Sequence, residues 1–170
     1  MYSRLKAALG VLALSAMATT ATIVGSATPA QAAVCNWITP GDQSNCDNVD
    51  PDVLGPSCGN DARSVYTVRM RNIHTGRVDG PYVDLRYSPN CRTVWGRIRA
   101  AWGPDQDQFG CSVTIHRNSD GENLSKQVPY GATNATVWTN VLYDANVSSL
   151  VFAACDTGVG TRYEGITPNY

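Results

Sequence analysis

Apolar and polar residues alternate along several short stretches of the chain, and turn-forming residues separate these stretches. The clearest alternation runs over 64–73, and a turn with a glycine at 74–77 leads into a second stretch over 78–87. A period of two is typical of a β-strand with one buried face. Later stretches have the same character: 111–116, 136–143 and 148–155. The sequence therefore predicts a mainly β fold, a small disulfide-stapled antiparallel β-sandwich or barrel.

The stretch over 91–102 fits two kinds of secondary structure. Val94 and Ile98 recur at helical spacing, whereas Trp95 and Arg97 alternate as they would on a strand. Short apolar runs are not settled by periodicity alone. The β-branched and aromatic content, with a glycine in the middle, favours a strand, and a helix is the alternative.

The first 32 residues have the pattern of a secretory signal peptide. Arg4 and Lys6 precede an apolar run over 7–18, and Ala30-Gln31-Ala32 forms a small-residue cleavage site. We expect cleavage after Ala32. The alternative is a membrane anchor, but the apolar run is shorter than the ~20 residues a span requires. No later segment is apolar enough to cross a membrane, so we expect a secreted, extracellular protein without a span after cleavage.

The remaining chain, 33–170, is predicted to be a single secreted β domain. Its first part, 33–62, is rich in Cys, Asp, Asn, Pro and Gly and predicts a stapled loop region, and 63–170 forms the β core. The whole chain has 13 basic and 14 acidic residues, so loss of the two basic leader residues gives a formal charge of −3. A mildly acidic domain has no overall field that attracts nucleic acid, and we expect no such partner.

All six cysteines lie in the predicted exported part: Cys35, Cys46, Cys58, Cys91, Cys111 and Cys155. An even number in an exported chain predicts disulfide bonds. A zinc site is the alternative, but the shortest gap between cysteines is eleven positions, and His74 and His116 lie far from any cysteine pair. We expect two bridges among the first four cysteines and one between Cys111 and Cys155. No metal or cofactor is predicted.

The segment LRYSPNCRTVWGRI over 85–98 carries a recognisable motif. The motif begins at Asp84, just before this segment, and Asp50, Pro51 and Cys58 lie upstream of it. Its positions within the segment are Leu85, Arg86, Tyr87, Ser88, Cys91, Trp95 and Arg97. This pattern resembles the signature of an exported actinobacterial family, number two-six-nine-zero among the domains of unknown function. Family members often carry alanine where this chain has Gly96. The resemblance implies export and a compact domain, and it implies no activity.

A group of arginine and aromatic residues is the candidate binding surface: Arg86, Tyr87, Arg92, Trp95, Arg97 and Arg99. If 85–87 and 93–99 form a hairpin, arginines share one face with aromatic rings. Such a face suits an anionic sugar, a teichoic-acid phosphate or the carboxylates of a partner. Alternatively, the arginines pair with Asp79 and Asp84 or remain solvated while the tryptophans fill the core.

Two acidic clusters offer oxygen ligands outside the basic region. Asp47, Asp50 and Asp52 form one cluster, and Asp105 and Asp107 form the other. Weak calcium sites are built from such loops, but neither segment has the full twelve-residue pattern. Solvated turn carboxylates are the simpler interpretation.

Catalytic motifs are missing from the sequence. It contains neither G-x-S-x-G nor H-E-x-x-H, and only His74, His116, Glu122 and Glu164 stand out as acid–base candidates. We assign no catalytic residue and expect a non-catalytic extracellular or cell-envelope binding module, with cell-wall polysaccharide or an extracellular protein as partner. The alternatives are a secreted hydrolase, a protease inhibitor presenting the segment 46–58, and a purely structural exported protein.

Overall fold

The computed structural model describes residues 46–105 and 109–170. The predicted signal peptide, its cleavage site and Cys35 lie outside the described residues, so the domain boundaries stay predictions. The described chain belongs to one compact unit. The strands are β1 (Arg63–Arg69), β2 (Arg71–Asn72), β3 (Tyr82–Ser88), β4 (Thr93–Ala101), β5 (Gly110–Arg117), β6 (Asn123–Gln127), β7 (Ala135–Trp138), β8 (Leu142–Tyr143), β9 (Ser149–Asp156) and β10 (Arg162–Ile166).

These strands form two antiparallel sheets that pack face to face. The first sheet has the order β1-β3-β4-β7, with β8 also paired to β4, and the second has the order β2-β10-β9-β5-β6. Alternate residues point into the space between them, where Leu85 and Ile98 of the first sheet and Val113 and Val151 of the second are fully buried. Each such side chain contributes about 1.5–3 kcal/mol by leaving water. The predicted mainly β, sandwich-like fold is confirmed.

The predicted strand over 64–73 is two strands, one in each sheet. β1 ends at Arg69 and β2 begins at Arg71, and the fully buried Met70 lies between them. Met70 N–H donates to Pro81 C=O at 2.8 Å, and Gly80 N–H donates to Met70 C=O at 3.1 Å. A Cβ on Gly80 would lie 2.6 Å from the Tyr163 ring, so the corner closes tightly here. The return strand consequently starts later than expected, at Tyr82.

Residues 91–102, for which strand and helix were both open, form a strand. β4 covers Thr93–Ala101 and lies at the centre of the first sheet, paired with β3, β7 and β8. Both faces of this strand are covered over most of its length, which explains why its apolar residues do not simply alternate with polar ones. The helical spacing of its apolar residues was incidental.

The described part of the stapled loop region packs on the outer face of the first sheet. It contains a 3-10 turn (Pro51–Val53) and a short helix, α1 (Pro56–Gly59). Leu54 and Cys58 are fully buried there against Trp95 and Val141, and Cys46 belongs to the same cluster. This small second core gives the first sheet a cover on the side facing away from the sandwich interior.

Two disulfide bonds lie within the described residues. Cys58–Cys91 joins the loop region to the β3–β4 turn, which confirms one bridge among the first four cysteines. Cys111–Cys155 joins directly opposed residues of β5 and β9, as predicted, with 4.0 Å between their Cα atoms. These bonds indicate an oxidising environment.

An arginine at the end of β5 fastens the loop region to the β core. Arg117 is 5% exposed and donates hydrogen bonds to both carboxylate oxygens of Asp47, at 2.9 and 2.8 Å. It also donates to both oxygens of Asp120, at 3.0 and 2.6 Å, and to Tyr143 C=O at 3.0 Å. Hydrogen bonds from Arg117 lower the pKa of Asp120 to about 2. Asp47 thus serves in an ion-pair cluster with Arg117.

Candidate functional site

The β3–β4 hairpin arranges charged and aromatic side chains on the outer face of the first sheet. Its register places three pairs side by side, Arg86–Trp95, Asp84–Arg97 and Tyr82–Arg99. The intervening residues, such as Leu85 and Ile98, point inward. Arg69 of β1 lies opposite Tyr82 and extends the row. We call this surface, made of Arg69, Tyr82, Asp84, Arg86, Trp95, Arg97 and Arg99, the arginine face.

Asp84 is the buried centre of the arginine face. Its carboxylate has no solvent exposure and accepts hydrogen bonds from Thr67 Oγ1 at 2.6 Å, Arg97 Nε at 2.8 Å and Arg99 Nε at 2.7 Å. Burial raises the pKa of Asp84, but the hydrogen bonds from Arg99, Thr67 and Arg97 outweigh it and hold the pKa below its usual value. One carboxylate therefore faces two guanidinium groups, and the arginine face keeps a net positive charge.

Aromatic rings orient the guanidinium groups along the arginine face. Arg99 Cζ and Arg69 Cζ lie 5.1 and 5.3 Å from the centroid of the Tyr82 ring. Arg86 Cζ lies 5.7 Å from the centroid of the Trp95 ring, and Arg86 Nη2 donates to Ala62 C=O at 2.9 Å. Stacked arginines retain a planar set of donors for an incoming anion.

A small cleft opens between the arginine face and the loop region. Arg86 and Arg97 line it together with Trp95 and Trp138, and the loop side is formed by Pro51, Asp52 and Gly59. Trp138 belongs to β7 and is the cross-strand partner of Arg97. The volume is about 160 Å³, which is below the ~300 Å³ typical of sites for whole small molecules. This arginine cleft therefore suits a single anionic group.

The structure brings four of the six predicted binding residues together on the arginine face: Arg86, Trp95, Arg97 and Arg99. Tyr87 lies on the other side of β3, where it packs against the main core and against the Tyr170 ring, with 4.9 Å between centroids. Arg92 lies in the β3–β4 turn and donates to Asn146 Oδ1 at 3.0 Å.

The alternative interpretation of the arginines also describes part of the structure. Arg97 and Arg99 pair with Asp84, whereas Asp79 pairs with Arg77 at 3.0 Å. Trp95, at 5% exposure, belongs to the small second core. The ion pairs with Asp84 stabilise the hairpin, and they also hold the remaining N–H groups of Arg97 and Arg99 in place. The contacts are therefore compatible with both interpretations, and the binding role of the arginine face stays a prediction.

Sequence reasoning missed three residues of this region. Arg69 and Tyr82 belong to the alternating stretches over 64–73 and 78–87, but which residues they oppose depends on strand register. Trp138 reaches the cleft through the pairing of β7 with β4, and sequence proximity gives no sign of this pairing because about forty positions separate the strands.

Both histidines and all residues of the two acidic clusters except Asp107 lie within the described residues, 46–105 and 109–170. Across these ranges no group of three His, Cys, Asp or Glu side chains is placed to hold a metal ion. Asp50 Oδ1 instead accepts a hydrogen bond from Asp52 N–H at 2.9 Å. His116 Nδ1 is hydrogen-bonded to Asn123 Oδ1 at 2.9 Å, and His74 lies in an exposed turn. Within the same ranges, no helix has both the length and the apolar character of a membrane span.

Comparisons with known proteins give one match. The family model described as Protein of unknown function (DUF2690) matches residues 44–153. The matched range includes the arginine face, the Cys58–Cys91 bond and Cys111, and it ends two residues before Cys155. No curated protein and no solved structure matches the chain.

Proposed function

Because the chain belongs to the DUF2690 family of proteins of unknown function, we propose its function from the geometry of the arginine face. The protein is a non-catalytic module, exported from the cell, that binds anionic groups of cell-envelope polymers. Export is supported by the basic–apolar–small pattern over 1–32 and by two disulfide bonds, which persist in oxidising compartments.

The arginine cleft is the observation that carries this proposal. Arg97 already donates Nε to Asp84 and Nη2 to Ser64 Oγ at 3.2 Å, and Arg86 donates Nη2 to Ala62. Arg86 Nη1 also donates to Ser64 Oγ at 3.5 Å. These bonds hold both side chains in place, and within the described residues they leave Arg97 Nη1 and Arg86 Nε for a ligand. A phosphate or carboxylate oxygen placed there receives charge-assisted hydrogen bonds from rigid donors, which lose little entropy on binding.

The hydrolase and inhibitor alternatives have weaker support. A hydrolase requires a nucleophile next to a base, or two facing carboxylates, and the described hydrogen bonds of His116 lead to an asparagine. An inhibitor requires a protruding loop, but in the segment 46–58 Cys46, Leu54 and Cys58 are buried. A disulfide bond further ties this segment to the β3–β4 turn.

Binding to soluble polymers of opposite character tests the proposal. The purified protein is titrated with poly(glycerol phosphate) and with neutral dextran in low and high salt, and affinity is measured by calorimetry. We expect affinity for the phosphate polymer only, weakened by salt because the contacts are partly exposed. Arg86→Gln should weaken it about tenfold, since a charge-assisted hydrogen bond contributes roughly 1.5 kcal/mol.

A matched control removes a positive charge elsewhere. Arg162 is on β10 of the second sheet and pairs with Glu164 at 2.8 Å. Arg162→Gln changes the net charge by the same amount as Arg86→Gln and should leave affinity within about twofold, because exposed pairs contribute little. Equal losses in the two variants, or binding that salt does not affect, contradict a site at the arginine cleft.

Export is tested separately by mass spectrometry of the protein from culture medium. We expect an amino terminus at Ala33, and non-reduced peptide mapping should show the Cys58–Cys91 and Cys111–Cys155 bonds. An intact leader on protein found only inside the cells contradicts export.

A further inference from the structure

A second cleft opens where three loops meet at one end of the sandwich. The loops cover 102–105, 129–133 and 157–161, and the cleft between them has a volume of about 320 Å³. We propose that this loop-end cleft binds one pyranose unit of a neutral polysaccharide. It shares no lining residue with the arginine cleft, so it is a separate site.

Two aromatic rings form the inner wall of the loop-end cleft. Trp102 and Tyr163 meet edge to face, with 5.8 Å between ring centroids and an angle of 81° between ring planes. Trp102 Nε1 donates to Asp156 C=O at 3.5 Å, and both rings are half-buried against the main core. A pyranose ring presents C–H groups on its faces, and these pack on the exposed parts of such rings.

The polar groups of the cleft select neutral over anionic sugars. Asp105 supplies a carboxylate and Thr133 a hydroxyl for contacts with sugar hydroxyl groups. The Thr157 hydroxyl donates to Thr161 C=O at 3.1 Å and can accept a hydrogen bond from a sugar hydroxyl. The described residues that line the cleft include neither Arg nor Lys, and among them Asp105 is the charged one. A uronic acid or a phosphate would be repelled by this carboxylate, whereas a neutral hydroxyl donates to it.

Backbone hydrogen bonds connect two of the loops that form the cleft. Gly103 N–H donates to Ala132 C=O and Gly131 N–H donates to Pro104 C=O, both at 2.8 Å. Two hydrogen bonds therefore connect these two loops. Gly103 allows this approach, since a Cβ there would overlap Pro129 C=O. A site that is ordered before binding loses less entropy when a ligand enters.

The size of the cleft and its rim fit one unit of a longer polymer. Its volume lies at the lower end of the ~300–1,000 Å³ range of small-molecule sites and is twice that of the arginine cleft. Tyr130 and Val159, on two of the same loops, are 72% and 81% exposed. Tyr130 precedes the lining residue Gly131, and Val159 follows Thr157 by two positions, so these exposed side chains are the candidates for contact with neighbouring sugar units.

Nuclear magnetic resonance tests the site directly through the indole N–H signals of the four tryptophans. The full-length purified protein is titrated with the tetramer of N-acetylglucosamine, with cellotetraose and with tetragalacturonate, and Trp102→Phe assigns the Trp102 signal. We expect a shift of the Trp102 signal with at least one neutral tetramer and none with the anionic one. No shift with either neutral tetramer, a response to tetragalacturonate only, or a shift confined to Trp95 and Trp138 overturns the proposal.

Conservative variants separate binding from folding. Asp105→Asn replaces the charge and one acceptor oxygen by an amide NH2, and Thr133→Val removes a hydroxyl. Each change preserves side-chain shape and should weaken binding of the neutral tetramer about fivefold to tenfold. Asp79→Asn, on the loop before β3, is the matched control and should leave affinity unchanged. Arg86→Gln should also leave it unchanged, so failure of this site and failure of the proposed anion site are distinguishable. Unaltered affinity in both cleft variants overturns the proposal.

Discussion

Asp144 is a buried carboxyl group whose ionisation opposes folding. It follows β8, is 6% exposed, and its Oδ1 accepts a hydrogen bond from Ser149 Oγ at 2.7 Å. Burial raises the pKa of Asp144 to about 6, because the Ser149 hydrogen bond and the charges of Arg117 and Arg92 offset only part of the desolvation. In the unfolded chain the same group has a pKa near 3.8.

The direction of the pH effect follows from these two pKa values. Between pH 3.8 and about pH 6 the folded state holds a proton that the unfolded state has released, so stability falls as the pH rises. The full contribution is present below the unfolded pKa and is lost as the pH rises through the folded pKa. A difference of about two pKa units corresponds to about 3 kcal/mol of unfolding free energy.

Asp144→Asn tests this reasoning because asparagine preserves the shape and does not ionise. The free energy of unfolding is measured in urea for both proteins at several pH values from 4 to 8. As the pH rises from 4 to 8, the unfolding free energy of the variant should increase by about 2.5 kcal/mol relative to that of the wild type. A constant effect of the amide on stability does not alter this change. The contributions of the other titrating groups are the same in both proteins and cancel in the difference.

Asp120→Asn provides the matched control for Asp144→Asn. The pKa of Asp120 is lowered to about 2, so its stabilising contribution is lost only when the pH falls below the pKa that Asp120 has in the unfolded chain. The difference in unfolding free energy between Asp120→Asn and wild type should therefore stay nearly constant from pH 5 to pH 8. A difference between Asp144→Asn and wild type that is equally flat over this range would show that Asp144 ionises normally and would refute the reasoning.

Three further sets of substitutions probe the arginine face and the core. Asp84→Asn should lower the unfolding free energy by about 2 kcal/mol. This loss is smaller than the roughly 3–5 kcal/mol expected when a fully buried ion pair is broken, because the arginine partners of Asp84 are 25% and 37% exposed. An unchanged urea midpoint contradicts this prediction. Gly96→Ala places a Cβ 2.9 Å from Val151 Cγ1 and should cost about 1–3 kcal/mol, and adding Val151→Ala should cost less than the sum of both changes. Replacing Cys111 and Cys155 by alanine should lower stability by about 4 kcal/mol for a separation of 44 residues; a melting temperature equal to that of wild type refutes the estimate.

The strands that sequence analysis found are those with strong alternation and one buried face. β3, β5 and β9 have apolar residues at every second position, and the interior of the sandwich requires this pattern. The hairpin prediction for the arginines succeeded for the same reason, because a short turn after β3 fixes which residues oppose each other in β4.

The strands that were missed have little apolar content of their own. β6 (Asn123–Gln127) is an edge strand with one half-buried residue, and β10 (Arg162–Ile166) has a glycine where Met70 and Val83 approach it closely. Their positions are set by hydrogen bonds to β5 and β9, so no local pattern predicts them. The break at Met70 is also tertiary, because the chain changes sheets there while its alternation continues.

The loop-end cleft shows why the second site was not predicted from sequence. Its three loops are separated by more than twenty positions along the chain, but they meet at the Cys111–Cys155 bond. Cys111 N–H donates to Trp102 C=O and Cys111 C=O accepts from Val128 N–H, both at 2.9 Å, and Thr157 follows two residues after Cys155. The backbone of Cys111 thus contacts Trp102 and Val128 at the starts of two loops, and the disulfide bond links Cys111 to Cys155, which precedes the third loop. The alternation of β5 and β9 predicts the strands, but only their register brings Trp102, Val128 and Thr157 to the same end of the sandwich.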